Sequence, residues 1–217
     1  MNLLLTMNIR KYHALEDSIE HDYIDYFLRL GFNPFLLPNR VNPKDYFNNI
    51  QIDGVVLTGG IDVAATNDLS IIRDTTESKI LEYCIDKNIP VLGICRGMQM
   101  INSFFGGSLT PNIPDHVRTT HTVRCINQLF KQISISDLLV NSYHNHGIYP
   151  NDLSPHLQIV FQNTSDNLIE GFCHCQYPIF AIQWHPEREQ IPNKIVDSMI
   201  INILTHINHE SYHISRG

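Results

Sequence analysis

The chain has no apolar run approaching the ~20 residues of a bilayer-spanning helix, which sets aside an α-helical membrane protein. Positive charge is also scarce. Fifteen lysines and arginines stand against 22 aspartates and glutamates, a net charge of −7. No basic block interrupts that deficit, so a general nucleic-acid binder is excluded. The five cysteines are odd in number and lack framework spacing. That argues against a disulfide-built secreted domain and for a reduced, cytoplasmic compartment. Met1 to Met7 is too short and too uncharged at its front for a signal peptide. Neither Gly-x-x-x-x-Gly-Lys-Ser/Thr nor Gly-x-Gly-x-x-Gly occurs, so a phosphate-cradling loop is a poor fit. No linker, internal repeat or low-complexity stretch divides residues 1–217, and a single domain is expected.

What is present is an ordinary globular balance: 43% hydrophobic and 17% charged residues in a chain long enough to bury a sizeable core. The first half alternates strands and helices. Leu3 to Ile9 reads as a strand, and Asp17 to Leu30 as a helix with Ile19, Tyr23, Tyr26, Phe27 and Leu30 on one stripe, ended by Gly31. Phe35-Leu36-Leu37 and Ile52 to Leu57 read as strands, with a helical turn at Asp45 to Asn49. Thr75 to Asn88 reads as a helix, Ile89 to Ile94 as a strand, and Met98 to Phe105 as a helix. This alternation predicts a parallel sheet covered on both faces. The second half differs. Successive short strands at His121–Ile126, Leu157–Phe161, Ile169–His174 and Ile179–Trp184 predict antiparallel additions, before a last helix over about 193–208.

Gly93-Ile94-Cys95-Arg96-Gly97 lies where a buried strand gives way to a helix. A side chain on such a turn is held strained and exposed, in the nucleophile-elbow arrangement with sulfur in place of oxygen. A helix N-terminus also favours the thiolate. A buried structural cysteine is the competing reading, and the flanking glycines with the strand-to-helix switch favour the nucleophile. A thiol nucleophile needs a base, a group to orient it, and donors for the oxyanion. Trp184-His185-Pro186-Glu187 follows another strand, so His185 can take the thiol proton and Glu187 can fix its tautomer. On spacing alone, a strand-capping histidine and a solvated glutamate explain that stretch equally well; Cys95 tips the reading to catalysis. Thr58-Gly59-Gly60 ends a third strand and suits a close backbone N–H, although on its own an ordinary turn explains it as well. The N–H of Arg96 is the second expected donor.

Taken together, Gly-Ile-Cys-Arg-Gly-Met-Gln, Thr-Gly-Gly-Ile-Asp, Val140-Asn141-Ser142-Tyr143-His144 and Gln183-Trp184-His185-Pro186-Glu187 resemble the class I glutamine amidotransferase superfamily. They fall in that family's order and spacing. The resemblance implies a flavodoxin-like α/β fold and a Cys95, His185, Glu187 triad. It also implies oxyanion donors at Gly60 and Arg96, and a glutamyl site at Gly59, Gln99, Ser142, Tyr143 and His144. Arginine after the nucleophile, with Arg73-Asp74-x-x-Glu77, is similar to the free-standing γ-glutamyl hydrolase branch. The chain departs from that branch at His146, where glutamine is usual. The implied activity is hydrolysis of a small γ-glutamyl amide through a thioester. The rivals are a glutaminase subunit feeding ammonia to a separate synthetase, and an inactive binding or regulatory relative.

No cofactor, no obligatory synthetase partner and no metal are expected, and a homodimer is compatible with this reading. The leaving amine is left open among an amino acid, a polyamine-derived acid, a folate-type glutamate chain and a nucleotide phosphoramidate. Arg10 and His146 are candidates for the outer pocket. Cys173-His174-Cys175 alternates along a strand and reads as core, and His206, His209 and His213 read as a solvated helix face.

Overall fold

In the computed structural model, which describes residues 1–60, 68–127, 137–191 and 193–206, one nine-stranded sheet organises the chain. Five parallel strands form its first half: β1 (Asn2–Thr6), β4 (Asn33–Leu37), β5 (Gly54–Leu57), β6 (Val91–Ile94) and β13 (Ile179–Ile182). They lie in the spatial order β4-β1-β5-β6-β13. Counted along the chain, that is the 2-1-3-4-5 order of flavodoxin-like sheets. Beyond β13 the sheet continues antiparallel through β12 (Ile169–His174), β11 (Leu157–Asn163), β8 (Val117–Cys125) and β9 (Asp137–Tyr143). Two small antiparallel pairs stand apart: the hairpin of β2 (Asn8–Lys11) with β3 (Leu15–Ser18), and β7 (Thr110–Pro111) with β10 (His146–Gly147).

Alternation along β1 sends side chains to two cores. Leu3 and Leu5 join Tyr23 and Phe27 of α1 (His21–Arg29) and Met199, Ile200 and Ile203 of α5 (Lys194–His206). Leu4 faces the other way, onto Ile80, Leu81 and Cys84 of α3 (Asp68–Lys87) and Met98 and Ile101 of α4 (Arg96–Phe104). The sheet is therefore covered on both sides, as the alternating pattern predicts. A short helix, α2 (Pro43–Asn49), is capped by the Asn42 side chain and packs beside α3.

Several boundaries differ from expectation; strand β8, for one, begins at Val117 rather than His121. The strand expected from Leu3 to Ile9 breaks after Thr6, because neither neighbour pairs beyond Thr6 and the chain leaves the sheet for the β2–β3 hairpin. The helix expected from Asp17 begins only at His21, since the Asp17 carboxylate is taken by the N–H and side-chain amide of buried Asn39 at 3.0 and 2.6 Å. Helix α3 starts at Asp68 rather than Thr75. Its early inward positions are polar (Ser70, Arg73, Thr76 and Glu77, all buried), so apolar periodicity does not reveal them. Ser142 and Tyr143, expected on a loop, end strand β9. Ile61 and Asp62, the side chain of His206, and His209 and His213 lie outside the described residues. No helix among the described residues is long and apolar enough to cross a membrane.

Candidate active site

Three parallel strands end side by side, and each delivers one component at its C-terminal edge. Strand β6 ends at Ile94 and the chain turns at Cys95 with φ 52° and ψ −105°, outside every well that a cysteine ordinarily occupies. Such strain is held only where surrounding structure over-determines it. Here the Cys95 N–H is fixed to the Ile182 carbonyl of β13 at 2.8 Å. Two residues on, a Cβ at Gly97 would lie 2.0 Å from the Leu57 carbonyl oxygen, so only glycine lets α4 start this close to β5.

Strand β13 runs out at Ile182 and places His185 beside the thiol. Asn141 of β9 clamps that loop through the backbone. Its amide accepts from His185 N–H at 2.9 Å and donates to the His185 carbonyl at 2.7 Å and to Glu189 at 2.7 Å. A 3₁₀ turn over Pro186–Arg188 then folds Glu187 back, so that its carboxylate lies 2.6 Å from His185 Nδ1. Nδ1–H donates to the carboxylate and Nε2 is left for the thiol. Burial opposes the imidazolium, but the Glu187 charge, with Cys95 both as a charge and as a hydrogen-bond partner, pushes His185 up to about 10.

Strand β5 ends at Leu57 and supplies Thr58-Gly59-Gly60. A Cβ at Gly59 would sit 2.8 Å from His185 Cε1 and 2.9 Å from the Tyr23 hydroxyl, so this backbone lies against the His185 ring. The Tyr23 hydroxyl accepts the Gly59 N–H at 2.8 Å. Burial, then the charges of Glu187 and Cys95, raise the Tyr23 pKa and keep it a phenol. Underneath lies a buried ionic network. Arg73 donates to the Thr58 carbonyl at 2.7 Å, to the Gly59 carbonyl at 3.0 Å and to Glu77 at 2.9 Å. The far oxygen of Glu77 and the Asp74 carboxylate take the guanidinium of Arg96, the first residue of α4. Two charges of each sign thus tie the Gly59–Gly60 turn to the residue after the nucleophile. Arg96 Nε is a buried atom with no hydrogen-bond partner.

The remaining expected residues divide into two groups. Gln99 Nε2 donates to the His146 carbonyl at 3.1 Å and approaches Gln183 Oε1 at 3.5 Å, while Gln183 Nε2 lies 3.5 Å from Cys95 Sγ. The Tyr143 ring meets His185 edge-on at 5.9 Å, beneath the Arg188 guanidinium. Exposed Arg10 borders a small cleft with Asn8, Tyr23 and Gly59. Ser142 and His144 are different, because their side chains turn inward. Ser142 Oγ donates to the His116 carbonyl at 2.7 Å, and both His144 ring nitrogens are occupied by His146 O, His116 and Glu170. Their side chains belong to a buried cluster, and the His144 N–H is itself taken by the His116 carbonyl at 3.1 Å. His146 likewise contributes its carbonyl to Gln99.

Sequence reasoning passed over Asn141, Tyr23 and Gln183. Asn141 and Gln183 sit inside quoted motifs, but nothing local shows that their partners lie across the sheet. Tyr23 reads as one member of an apolar stripe, and its hydroxyl gives no periodic signal. Cys173 is buried in the core as expected and Cys175 is half-buried.

Comparison with known proteins places these features in a family context. The peptidase C26 family profile matches residues 3–187. The γ-glutamyl-CDP-amidate hydrolase of Campylobacter jejuni is 33% identical over 192 residues, covering 85% of this chain and 87% of that protein. A carbamoyl phosphate synthase small chain of Metallosphaera sedula is 28% identical over 81% of this chain, and the match spans 44% of that relative. Among solved structures, a glutamine amidotransferase of Thermotoga maritima superposes with TM-score 0.65 at 21% identity, over 86% of this chain and 76% of its own. A candidate GMP synthase component from Thermoplasma acidophilum gives 0.72 at 23% identity, over 94% and 92%. At these identities the two structures speak to the fold alone.

Proposed function

The chain belongs to the peptidase C26 family, and on that premise we propose that it is a cysteine-dependent γ-glutamyl amide hydrolase. Family membership makes it a hydrolase or amidase of glutamine amidotransferase-like fold. The finer reading is carried by one observation: His185, whose Nδ1 lies 2.6 Å from Glu187, stands with Cys95 against the Gly59 backbone, and that cysteine is held at φ 52° on a strand-to-helix turn.

The proposed course is as follows. The Cys95 thiolate attacks the γ-carbonyl carbon, and the carbonyl electron pair moves onto oxygen, facing the N–H groups of Gly60 and Arg96. Removing one such donor typically costs about 3 kcal/mol of barrier. His185 Nε2–H gives its proton to the nitrogen as the C–N bond breaks, releasing the amine and leaving a γ-glutamyl thioester. His185, now neutral, takes a proton from water; hydroxide adds to the thioester, the C–S bond breaks, and glutamate leaves. In this reading Gln99 and Tyr143 hold the glutamyl end, and Arg10 and His146 serve the leaving-group side. The reaction needs no cofactor and no synthetase partner.

The specific substrate we propose is a γ-glutamyl-CDP-amidate, giving glutamate and a cytidine diphosphoramidate for capsule modification. Its support is the similarity to the Campylobacter enzyme. The likeness to a carbamoyl phosphate synthase small chain favours a second reading, a glutaminase that supplies ammonia to a synthetase. Glutamate release measured across γ-glutamyl conjugates, including the nucleotide amidate and plain glutamine, separates the two. Preferential turnover of the nucleotide amidate supports the first. Equally slow release from every conjugate, with glutamine hydrolysis appearing only on adding a synthetase, overturns it.

A further inference from the structure

Glu170 of β12 is wholly buried, and neither of its carboxylate oxygens receives a well-formed hydrogen bond. A buried carboxylate without such partners is costly, so something positive must face it. What surrounds it is histidine. His121 Nε2 lies 3.3 Å from Oε1, His144 Nε2 3.6 Å, and His116 Nδ1 3.9 Å. These side chains come from β8, the residue just before β8, the end of β9, and β12, so the antiparallel half of the sheet assembles them.

The outer contacts decide which nitrogen of each ring turns inward. His144 Nδ1 is 3.0 Å from the His146 carbonyl, so Nε2 is the nitrogen that faces Glu170. His116 Nε2 is 2.8 Å from the Asp166 carboxylate, so Nδ1 faces inward. These two inward nitrogens lie 3.3 Å apart beside the Glu170 carboxylate. The Ser142 hydroxyl, 3.4 Å from His116 Nδ1, spends its proton on the His116 carbonyl. His121 has no well-formed hydrogen bond at either nitrogen.

We propose that His116 Nδ1, His121 Nε2, His144 Nε2 and Glu170 Oε1 are the four ligands of a closed tetrahedral site for a divalent transition metal, zinc fitting best. Zinc bonded to imidazole and carboxylate at about 2.0–2.1 Å separates adjacent tetrahedral ligands by about 3.4 Å. Of the six ligand–ligand gaps in such a site, four lie at 3.3, 3.3, 3.6 and 3.9 Å, around that edge. The ligand atoms of His116, His121 and Glu170 already lie within 4.8 Å of one another. Asp166 and the His146 carbonyl play the outer role that orients metal-bound imidazoles. With all four positions filled by protein, the site is structural. It fastens β8, β9 and β12 together, and its ligand His144 shares the His146 carbonyl with Gln99 of the glutamyl site. This proposal replaces the expectation of a metal-free chain.

The test is metal analysis of the untagged full chain, followed by titration of the chelated protein with zinc and cobalt. About one zinc per chain is expected, with a rise in melting temperature on zinc addition and the intense visible bands of tetrahedral cobalt. His121→Ala and Glu170→Gln should lose the metal. Asp166→Asn, a partly exposed position that leaves all four ligands in place, should weaken binding by roughly 10- to 100-fold. Should the ligand variants fail to fold, Asp166→Asn and the wild-type cobalt spectrum still decide. A chain that takes up neither metal, or zinc that stays bound in His121→Ala and Glu170→Gln, overturns the proposal; the first of these means that protons, not a metal, neutralise the cluster.

Discussion

Replacing Glu77 with glutamine preserves the shape of the side chain and removes the charge that two buried guanidiniums share. In the native protein one oxygen of Glu77 takes Arg73 at 2.9 Å and the Thr6 hydroxyl at 2.8 Å, while the other takes Arg96. Arg73, Glu77 and Arg96 are all essentially without solvent. Breaking a buried ion pair from one side costs about 3–5 kcal/mol, because the surviving charge is left uncompensated. Asp74 still holds Arg96, and Arg73 keeps the Thr58 and Gly59 carbonyls, so the lower end, about 3 kcal/mol, is expected for Glu77→Gln. In a chain of this size that is a fall in melting temperature of roughly 6–12 °C.

The pH dependence gives a sharper check. Burial works to raise the Glu77 pKa, but Arg96 and Arg73, with hydrogen bonds from Arg96 and Thr6, outweigh it and hold the carboxyl below its ordinary value. A depressed carboxyl stabilises the fold fully above the unfolded pKa of about 4.3 and loses that contribution as pH falls through the folded pKa. The stability gap between wild type and Glu77→Gln should therefore be constant from pH 6 to 8 and close progressively below about pH 4. Thermal or urea melts across that range measure it. A melting temperature within about 2 °C of wild type at neutral pH, or a gap that widens with acid, refutes the reasoning.

Three further outcomes follow from the same geometry. Gly59→Ala puts a methyl group 2.8 Å from His185 Cε1 and should lower kcat/KM by roughly 100-fold by displacing the imidazole, with the melting temperature as control for folding. Glu187→Gln removes the charge that raises His185 and should cut kcat by on the order of 10²–10⁴-fold. Because the folded His185 pKa is raised to about 10, its stabilisation is complete below the unfolded value of about 6.5. That stabilisation is lost as pH rises through the folded pKa, an alkaline decline that Glu187→Gln should lack in pH-dependent melts. Asn141→Ala leaves the His185 backbone unclamped and should lower kcat more than it raises KM, as steady-state kinetics on the preferred conjugate would show.

The fold was legible because parallel strands buried on two faces read as continuous apolar runs. Cys95, His185 and Glu187 could be named as candidates because each lies within a few residues of the end of such a run. What stayed hidden depends on distant partners. The first turns of α3 bury Ser70, Arg73, Thr76 and Glu77 instead of apolar side chains, so no periodic signal marks them. Resemblance singled out Arg73 and Glu77, yet only the fold shows that they brace the Gly59 turn against Arg96. Ser142 and His144 carry the right names in the right motif. Strand alternation and the neighbouring β8 nevertheless turn their side chains toward His116 and Glu170. The four residues of that cluster are spread from 116 to 170, and no spacing rule for metal ligands spans such separations.

Covalent capture of the nucleophile is the most direct measurement of all. Incubated with an electrophilic glutamine analogue, the intact protein should gain the mass of a single adduct. Digestion should map that adduct to the peptide containing Cys95, and Cys95→Ala should neither react nor release glutamate while melting like wild type. Glutamate release by Cys95→Ala at a near-normal rate, or an adduct that forms on another cysteine, would contradict a thioester mechanism at this elbow.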